Sequence, residues 1–266
     1  MNGFCPFKNL AVRKAIILGI DRQSIIGTFL DGMTSVPASL WPNSTWYDTS
    51  LTPYPYDPVQ ARSLLNAAGY SVGSGGIRHG MCNGVDTPLS FHFETTTRQL
   101  REDIGNAVQN MLLSIGIAFN PIYTPAGAFF DTYAHGADMP TGNFDMAGYT
   151  TGFYPDPYTD NFLCSSVPSN QNQTGDNNYH LCDAALDTLF QQAQATADPG
   201  ARKVIFDQIQ QYMYDNALVV PLYDRMEVMA YVDTFILPPT SSNGGMMGDT
   251  FDWNKKSLLF LPLVMR

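Results

Sequence analysis

The residues that could carry acid–base or metal chemistry are few and scattered along the sequence. The histidines are His79, His92, His135 and His180, and none lies in an HExxH, GxSxG or CxxC pattern that would place it beside a second reactive group. Asp156 and Asp160 could form a carboxylate pair or part of a calcium loop. However, Pro157 lies between them and alternating oxygen ligands are lacking, which favours a turn. We therefore predict no catalytic residue, no metal site and no cofactor.

The four cysteines offer two disulfides. Cys164 and Cys182 flank the polar loop SSVPSNQNQTGDNNYHL, which has no hydrophobic cluster of its own to hold it closed. A disulfide across this loop would contribute about 3 kcal/mol by the chain-entropy treatment, and an exported protein would retain it. Cys5 and Cys82 form the second candidate pair. Small buried thiols are the alternative for all four, whereas zinc is disfavoured because no CxxC pair or matching histidine spacing exists.

Charge and composition narrow the classes of partner. The 266-residue chain has 14 Lys and Arg against 24 Asp and Glu, a net charge of −10, and no basic run. Nucleic acids and anionic membranes are recognised by clustered positive charge, so neither is predicted as a partner. No stretch approaches the roughly 18 apolar residues of a membrane span. The length suits one large domain with a full core, or two small ones.

Three helices with clear boundaries are predicted in the first part of the chain. The first carries Ala15 and other apolar residues at helical spacing. Asp21 is expected to cap the second, which ends at Gly32. Asp57 caps the third, where a proline follows at the first helical position and Gly69 ends the helix.

Two loops are predicted around the third helix. The connector 32–56 is rich in proline and aromatic residues, and Trp41, Trp46 and Tyr47 are expected to pack against the domain. The alternative is that part of this connector faces a ligand cleft, which makes Trp41 a candidate ligand-binding residue. Residues 69–86 are glycine-rich and are predicted as a surface loop.

An alternation of strands and helices predicts an α/β layer. Leu89–Thr95 alternates apolar and polar residues, with Phe91 and Phe93 on one side and His92 and Glu94 on the other. A helix and a second strand follow, and such a unit joins parallel strands by a right-handed crossover. The further predicted elements are helices over about 98–114, 126–135, 183–195 and 199–214, and strands over 117–124, 144–149, 219–223 and 228–232.

The loop after the strand 144–149 is the predicted ligand surface. Ligands of open α/β sheets bind beyond the carboxyl ends of the strands, and this strand runs into the sequence TTGFYPDP. Aromatic rings and hydroxyls suit one wall of a cleft. The candidate residues are Tyr149, Thr150, Thr151, Phe153 and Tyr154. Packing of these aromatic residues within the core is the alternative interpretation.

Several segments together resemble a known family. They are VRKAIILGIDRQSII, YDPVQARSLLNAAGY, PLSFHFETTT before a helix ending in SIGI, FDMAGYTTGFYPDPYTDNFL, and ALVVPLYDRMEVMAYV. In this order they resemble the C-terminal half of family 5 extracellular solute-binding proteins, the dipeptide, oligopeptide, nickel and sugar receptors of ABC importers. The resemblance starts in the middle of the family's pattern, so we expect a first lobe and an export signal to be encoded upstream.

The resemblance implies a fold, a location and partners. The fold would be an α/β, type II periplasmic-binding-protein lobe, with a mixed sheet flanked by helices. Residues 1–224 would form the C-terminal ligand-binding lobe, and residues 225–266 would return toward the first lobe. The protein would be an extracytoplasmic monomer, periplasmic or held at the cell surface as a lipoprotein. Its partners would be a small-molecule or peptide ligand, the first lobe and a membrane permease.

Two departures from the family pattern bear on the ligand. Dipeptide-binding relatives hold the ligand's amino group with an Asp, and the corresponding residue of this sequence is Phe153. Those relatives hold the ligand's carboxylate with an Arg and a Tyr, and the corresponding residues here are Thr95 and Thr97. A buried charge is costly unless the ligand pairs it. We therefore expect a ligand without compact charged ends, either a neutral oligosaccharide-like solute or an oligopeptide held by its backbone. Thr95 and Thr97 would then lie opposite the aromatic loop.

Two functions fit these expectations. The first is the substrate-binding component of an ABC importer, which closes around its ligand and selects it through contacts made in the closed state. The alternative is a ligand-sensing module of a signalling or regulatory protein with the same fold. Neither function needs catalysis, so an enzyme is not predicted.

Overall fold

The computed structural model describes residues 3–150 and 156–225, together with the backbone of two short paired strands near the C-terminus. The helices are α1 (Leu10–Gly19), α2 (Arg22–Phe29), α3 (Pro58–Ala67), α4 (Gln99–Leu113), α5 (Ala126–Phe129), α6 (Asp138–Thr141), α7 (Ala184–Ala195) and α8 (Pro199–Asp215). The strands are β1 (Ser71–Val72), β2 (Arg78–Cys82), β3 (Val85–Pro88), β4 (Ser90–Thr96), β5 (Ala118–Thr124), β6 (Met146–Gly148), β7 (Phe235–Ile236) and β8 (Asn254–Lys255). The helix predicted over 126–135 is shorter than expected, and the strand predicted over 228–232 lies outside the described residues.

The first three helices each begin at a side-chain cap, and α2 and α3 begin at the capping residues that the sequence predicts. Asn9, Asp21 and Asp57 each accept a hydrogen bond from a backbone N–H of the first turn, at distances of 2.9, 2.9 and 2.8 Å. These bonds satisfy donors that the helix itself leaves without a partner. Helices α1 and α3 then pack against each other in the first core.

Residues 69–86 contain the start of an antiparallel sheet, so the prediction of a surface loop is wrong. Strand β2 pairs with β1 on one side and with β3 on the other. Asn83 and Gly84 have φ values of 51° and 81°, which suit the two-residue type I′ hairpin turn, and Asn-Gly is its usual sequence. Gly75 and Gly76, with φ of 92° and 84°, form the turn between β1 and β2.

The central sheet has the order β5–β4–β6, with all strands parallel. Strand β4 pairs with β5 along its whole length, from Ser90 opposite Ala118 to Thr96 opposite Thr124. It pairs with β6 only toward its carboxyl end. Helix α4 connects β4 to β5, which confirms the predicted strand–helix–strand unit.

Glu94 lies on the side of β4 that the sequence pattern assigns to polar residues, yet it is only 5% exposed. The alternation fails here because α5 contacts β4 and α6 packs beside α5, so this face is covered as well. Thr124 donates a hydrogen bond to the Glu94 carboxylate, and Asp138 at the start of α6 hydrogen-bonds to it. Burial raises the pKa of Glu94, the Thr124 bond lowers it, and Asp138 raises it again.

The described residues bury two hydrophobic clusters. The first core joins α1, α3 and α4 to the central sheet, and the second core joins α7 and α8 to residues around 162 and 181. Fully buried members of the first core include Ile16, Leu65, Phe91 and Leu112, and those of the second include Leu186, Phe190, Phe206 and Ile209. Residues of both cores line the space between the central sheet and the polar loop.

Gln210 on α8 fixes the connector 32–56. Its side chain is fully buried, and its Oε1 accepts hydrogen bonds from the Ser39 hydroxyl at 2.6 Å and from the Asp48 N–H at 3.0 Å. Its Nε2 donates to the Trp46 carbonyl at 2.7 Å. A buried amide is costly to leave without partners, so the connector's path is set by α8.

Residues 219–223 form no strand, contrary to the prediction. Pro221 has no N–H to donate to a strand ladder, and its carbonyl accepts a hydrogen bond from the Arg22 guanidinium at 3.1 Å. The N–H of Asp224 donates to the carbonyl of Ser35 at 3.0 Å. Isolated bonds to α2 and to the connector therefore replace a regular ladder here.

Both predicted disulfides are present, Cys5–Cys82 and Cys164–Cys182. Cys5 lies in a short 3₁₀ turn before α1 and Cys82 ends β2. The first disulfide therefore ties the N-terminal turn to the antiparallel sheet, and the second closes the polar loop.

The polar loop is also held from within by Asn177. This side chain is fully buried, and its Nδ2 donates to the carbonyls of Leu163 at 2.9 Å and Leu181 at 2.7 Å. Leu163 immediately precedes Cys164, and Leu181 immediately precedes Cys182. The Asn177 amide therefore connects the two ends of the loop.

Removing either disulfide is expected to destabilise the protein to a different extent. Replacing Cys164 and Cys182 with Ser should lower the free energy of unfolding by about 3 kcal/mol, and replacing Cys5 and Cys82 by about 4.5 kcal/mol, because the longer loop gains more entropy when it is opened. Urea unfolding of the two double variants measures the difference. A larger loss for the shorter loop would contradict this explanation.

Glu94→Gln is expected to stabilise the protein at alkaline pH. The pKa of Glu94 is raised in the folded state, so its contribution to stability is present at low pH and is lost as pH rises through that raised pKa. The Gln variant should be more stable by about 1–3 kcal/mol at about pH 8 and unchanged at about pH 4. Thermal unfolding across this pH range tests the sign of the effect, with Glu102→Gln, at a half-buried glutamate, as control. An equal gain in stability at both pH values would refute the prediction.

Candidate ligand-binding site

The carboxyl ends of β4 and β6 meet at one edge of the central sheet. Thr95 stands opposite Gly148 in the register, and its hydroxyl donates to the Gly148 carbonyl at 2.6 Å. Thr95 is 3% exposed, whereas Thr97 is exposed and its N–H donates to the carbonyl of Thr124 at 2.9 Å. Both predicted threonines therefore reach this edge, where Thr95 fixes β6 to β4 and Thr97 faces solvent.

Gly148 allows β6 to pass close to the ring of Phe93. A Cβ at this position would lie 2.4 Å from the Phe93 ring, which is too close for any side chain. Phe93 in turn stacks on Phe119 at a centroid distance of 4.7 Å. A larger residue at 148 would therefore require the ring of Phe93 to move.

Tyr149 follows β6 directly and is half-buried. Its ring contacts Phe130 and Tyr179 at centroid distances of 6.1 and 5.5 Å. Burial raises the pKa of Tyr149 well above its usual value, and the neighbouring Tyr179 hydroxyl, which hydrogen-bonds to it, adds to the shift. The phenol is therefore neutral at ordinary pH and is available as a hydrogen-bonding group.

The remaining predicted residues of this loop divide into two groups. Thr150 is described and exposed. Thr151, Phe153 and Tyr154 lie outside the described residues. The structure therefore brings Tyr149 and Thr150 to the same sheet edge as Thr95 and Thr97.

Trp41 is held in the second core. Its indole meets the rings of Phe162, Phe190 and Phe206 edge-on, at centroid distances of 6.2, 6.4 and 5.3 Å. The side chain is half-buried, and it also borders the groove beside this core. The packing alternative therefore applies to Trp41, and its contact with a ligand stays a prediction.

Tyr179 is a site residue that the sequence analysis missed. It stacks on Phe162 at 4.8 Å, and Phe162 stacks on Phe190 at 5.1 Å. This aromatic ladder connects Tyr149 to the second core. Tyr179 lies shortly before Cys182, and the disulfide holds that part of the polar loop in place. This position is the sequence signal that could have indicated Tyr179.

A groove of about 1520 Å³ lies between the central sheet and the second core. Residues that line it include Trp41, Phe93, Thr95, Arg101, Tyr149 and Tyr179. Aromatic and aliphatic walls with a few polar groups are typical of sites for organic ligands. The groove passes the strand ends that the sequence predicts as a binding surface.

Within the described ranges, no group of three His, Cys, Asp or Glu side chains could hold a metal ion. His79, His92 and His135 each face one aspartate, Asp86, Asp145 and Asp131, at 3.6, 3.8 and 3.0 Å. Asp156 pairs with Arg202 at 2.7 Å, and Asp160 accepts from Gln194 at 3.1 Å. These two carboxylates therefore have separate partners.

In the part of the chain that the structure describes, no helix is both long enough and apolar enough to cross a membrane.

Comparison with known proteins gives one family. Residues 3–174 match the family described as bacterial extracellular solute-binding proteins, family 5 Middle. Di/tripeptide-binding protein 1 of Pseudomonas aeruginosa is 27% identical over 223 residues, which cover 82% of this chain and 37% of that protein. The chain thus spans well under half the length of this relative.

Two solved structures share the fold. The oligopeptide-binding protein AppA from Bacillus subtilis, in complex with a nonapeptide, aligns with a TM-score of 0.70 at 26% identity and covers 83% of this chain and 43% of that one. The oligopeptide binding protein of Thermus thermophilus, complexed with a pentapeptide, aligns with a TM-score of 0.74 at 23% identity and covers 83% and 38%. These likenesses confirm the predicted α/β, type II periplasmic-binding-protein fold.

Proposed function

The chain belongs to the bacterial extracellular solute-binding proteins of family 5, and from this membership we propose that it forms the C-terminal ligand-binding lobe of the substrate-binding component of an ABC importer. The observation that carries the proposal is the family match over residues 3–174, which includes the central sheet and its strand-end surface. The ligand would bind in the groove beside Tyr149.

An oligopeptide is the ligand class that we favour. The Pseudomonas aeruginosa relative is named a di/tripeptide-binding protein, and the Bacillus subtilis structure holds a nonapeptide. The chemistry of the groove agrees with such a ligand. The neutral phenol of Tyr149 can donate to or accept from a peptide amide, and the rings of Phe93 and Trp41 offer apolar contact to side chains.

A neutral oligosaccharide-like solute is the second ligand class. It is favoured by the residues that replace the charged groups of dipeptide-binding relatives, namely Phe153, Thr95 and Thr97. Aromatic rings and hydroxyls suit a sugar as well as a peptide backbone, so only the bound mass separates the two classes.

The mechanism would be closure of two lobes around the ligand, without any covalent step. Residues 1–224 would supply one wall of the cleft, and residues 225–266 would return to the other lobe. The receptor would be an extracytoplasmic monomer, periplasmic or lipid-anchored, and its closed form would dock on a membrane permease. Selectivity would follow from contacts that exist only in the closed state.

A ligand-sensing module of a signalling or regulatory protein is the alternative function. It would use the same groove and differ only in the partner that recognises the closed form. Pull-down of the ligand-loaded full-length protein against its own membrane fraction separates the two, because a permease would be captured in the first case and a signalling protein in the second.

Native mass spectrometry should identify the ligand class. The full-length protein, purified gently from its own host, is expected to retain a ladder of peptide masses. A spacing of one hexose would instead support the oligosaccharide-like ligand. A protein that stays empty against both a peptide and an oligosaccharide panel would contradict the transport proposal and favour the sensory alternative.

Tyr149→Ala should weaken ligand binding by about 10-fold or more, because it removes both a ring and a hydrogen-bonding hydroxyl from the groove. Tyr149→Phe should weaken ligand binding less than Tyr149→Ala, since only the hydroxyl is removed. Tyr56→Ala is a matched control, because Tyr56 is exposed and does not line the groove. Calorimetric titration with the retained ligand measures the affinities, and unchanged binding by Tyr149→Ala would remove this residue from the site.

A further inference from the structure

The polar loop between Cys164 and Cys182 forms part of the wall of the groove. Its residues that line the groove include Val167, Pro168, Ser169, Asn178, Tyr179 and His180. Along this loop, which the structure describes completely, regular structure is limited to a 3₁₀ turn over Cys164–Ser166 and an isolated bridge between Ser169 and Asn172. The position of this wall therefore depends on the disulfide and on single side chains.

Tyr179 attaches this wall to the second core. Its ring stacks on Phe162 with an interplanar angle of 17°, and Phe162 stacks on Phe190 with an angle of 5°. Phe162 is 3% exposed and Phe190 is fully buried. Because protein interiors are close-packed, one side of the Tyr179 ring lies on a support that does not move freely.

The other neighbour of Tyr179 is Tyr149, which lines the groove. The two rings lie 5.5 Å apart at an angle of 41°, and their hydroxyl groups hydrogen-bond. The pairing of β6 with β4 ends at Gly148, so this ladder does not hold Tyr149. Phe130, the other described ring that contacts Tyr149, is 48% exposed. Tyr179 therefore provides the buried support for Tyr149.

The backbone on both sides of Tyr179 is fixed by the closed loop. Two residues before it, the N–H of Asn177 donates to the carbonyl of Ser166 at 2.9 Å. Directly after it, the Nε2 of His180 donates to the carbonyl of Met139 at 3.1 Å. His180 also has a φ of 49°, and a residue other than glycine adopts a positive φ only where its surroundings enforce it. The closed loop therefore determines where the ring of Tyr179 lies.

We propose that the closed polar loop sets the affinity of the groove for peptides, and that Tyr179 is the positioning residue through which the loop acts on Tyr149. The inference rests on the proposed function, because it takes Tyr149 to be a peptide-binding residue. Tyr179 holds the phenol of Tyr149 in the orientation that a peptide amide meets, so binding does not need to order this side chain. The disulfide that stabilises the fold therefore also pre-organises the binding site.

Calorimetric titration of the full-length protein with tri- and pentaalanine tests the proposal. Tyr179→Leu should weaken binding about 3- to 10-fold, which corresponds to the cost of ordering one side chain on binding. Tyr179→Phe keeps the stacked ring and should retain most of the affinity. Replacing both Cys164 and Cys182 with Ser should weaken binding as much as Tyr179→Leu does. All variants are titrated at a temperature at which thermal unfolding shows them to be folded.

A double-mutant cycle separates positioning from direct contact with the peptide. Because Tyr179 acts through Tyr149, adding Tyr179→Leu to Tyr149→Ala should weaken binding by less than about 2-fold beyond Tyr149→Ala alone. In the Tyr179→Leu background, loss of the Cys164–Cys182 disulfide should likewise add less than about 2-fold. Fully additive losses in either combination would overturn the inference, since the two changes would then act independently.

Tyr54→Leu is a matched control for the loss of a stacked ring. Tyr54 is half-buried and stacks on Tyr214 at 4.3 Å, but it is not among the described residues that line the groove. This substitution should lower the thermal stability and leave peptide affinity unchanged. An equal loss of affinity in Tyr54→Leu and Tyr179→Leu would overturn the inference. If the disulfide variant does not fold, the tyrosine variants decide the test.

The same titrations distinguish failure of the inference from failure of the proposed function. If the wild type binds the peptides and Tyr149→Ala lowers the affinity but Tyr179→Leu does not, the inference is overturned and the proposed function stands. Binding of neither peptide by the wild type would overturn the proposed peptide ligand itself, and the inference with it.

Discussion

The pairing of β4 with a parallel strand on each side is the constraint on which the rest of the described structure depends. The neighbouring strands cover the two edges of β4, while the first core covers one of its faces and buries Phe91, and α5 covers the other and buries Glu94. The same pairing brings Thr95 against Gly148 and sends the chain from β6 toward Tyr149. Helix α4 starts immediately after β4, so the position of Arg101 follows from the same strand.

Each of the two cores positions a different part of this surface. The first core holds the sheet, while the second reaches Tyr149 through the stacked rings of Tyr179, Phe162 and Phe190. The groove lies between the two cores, and polar residues that line it lie at the ends of helices and strands. A binding wall assembled in this way can change its selectivity by substitutions at strand ends and helix starts, without disturbing the packing beneath.

The sequence predicted the elements whose signals are local and missed contacts made between distant segments. Caps such as Asp21 and Asp57 act within one helical turn, so the helix starts were recognised. The turn Asn83-Gly84 was equally local, but its hairpin signal was overlooked among other glycines. The strand-end rule located Tyr149, whereas Tyr179 and the burial of Glu94 depend on how the polar loop and α5 fold back onto the sheet, which no local pattern records.

The spacing of the cysteines also has a consequence for how the chain acquires its bonds during oxidation. Four cysteines allow three pairings, and the native ones join residues 77 and 18 apart in sequence. Chain entropy favours closure of the shorter loop, and its buried asparagine amide draws the ends together from inside. Once Cys164 and Cys182 have been used, only one partner is left for each remaining thiol. Early closure of the small loop therefore guides the distant pair to its correct match.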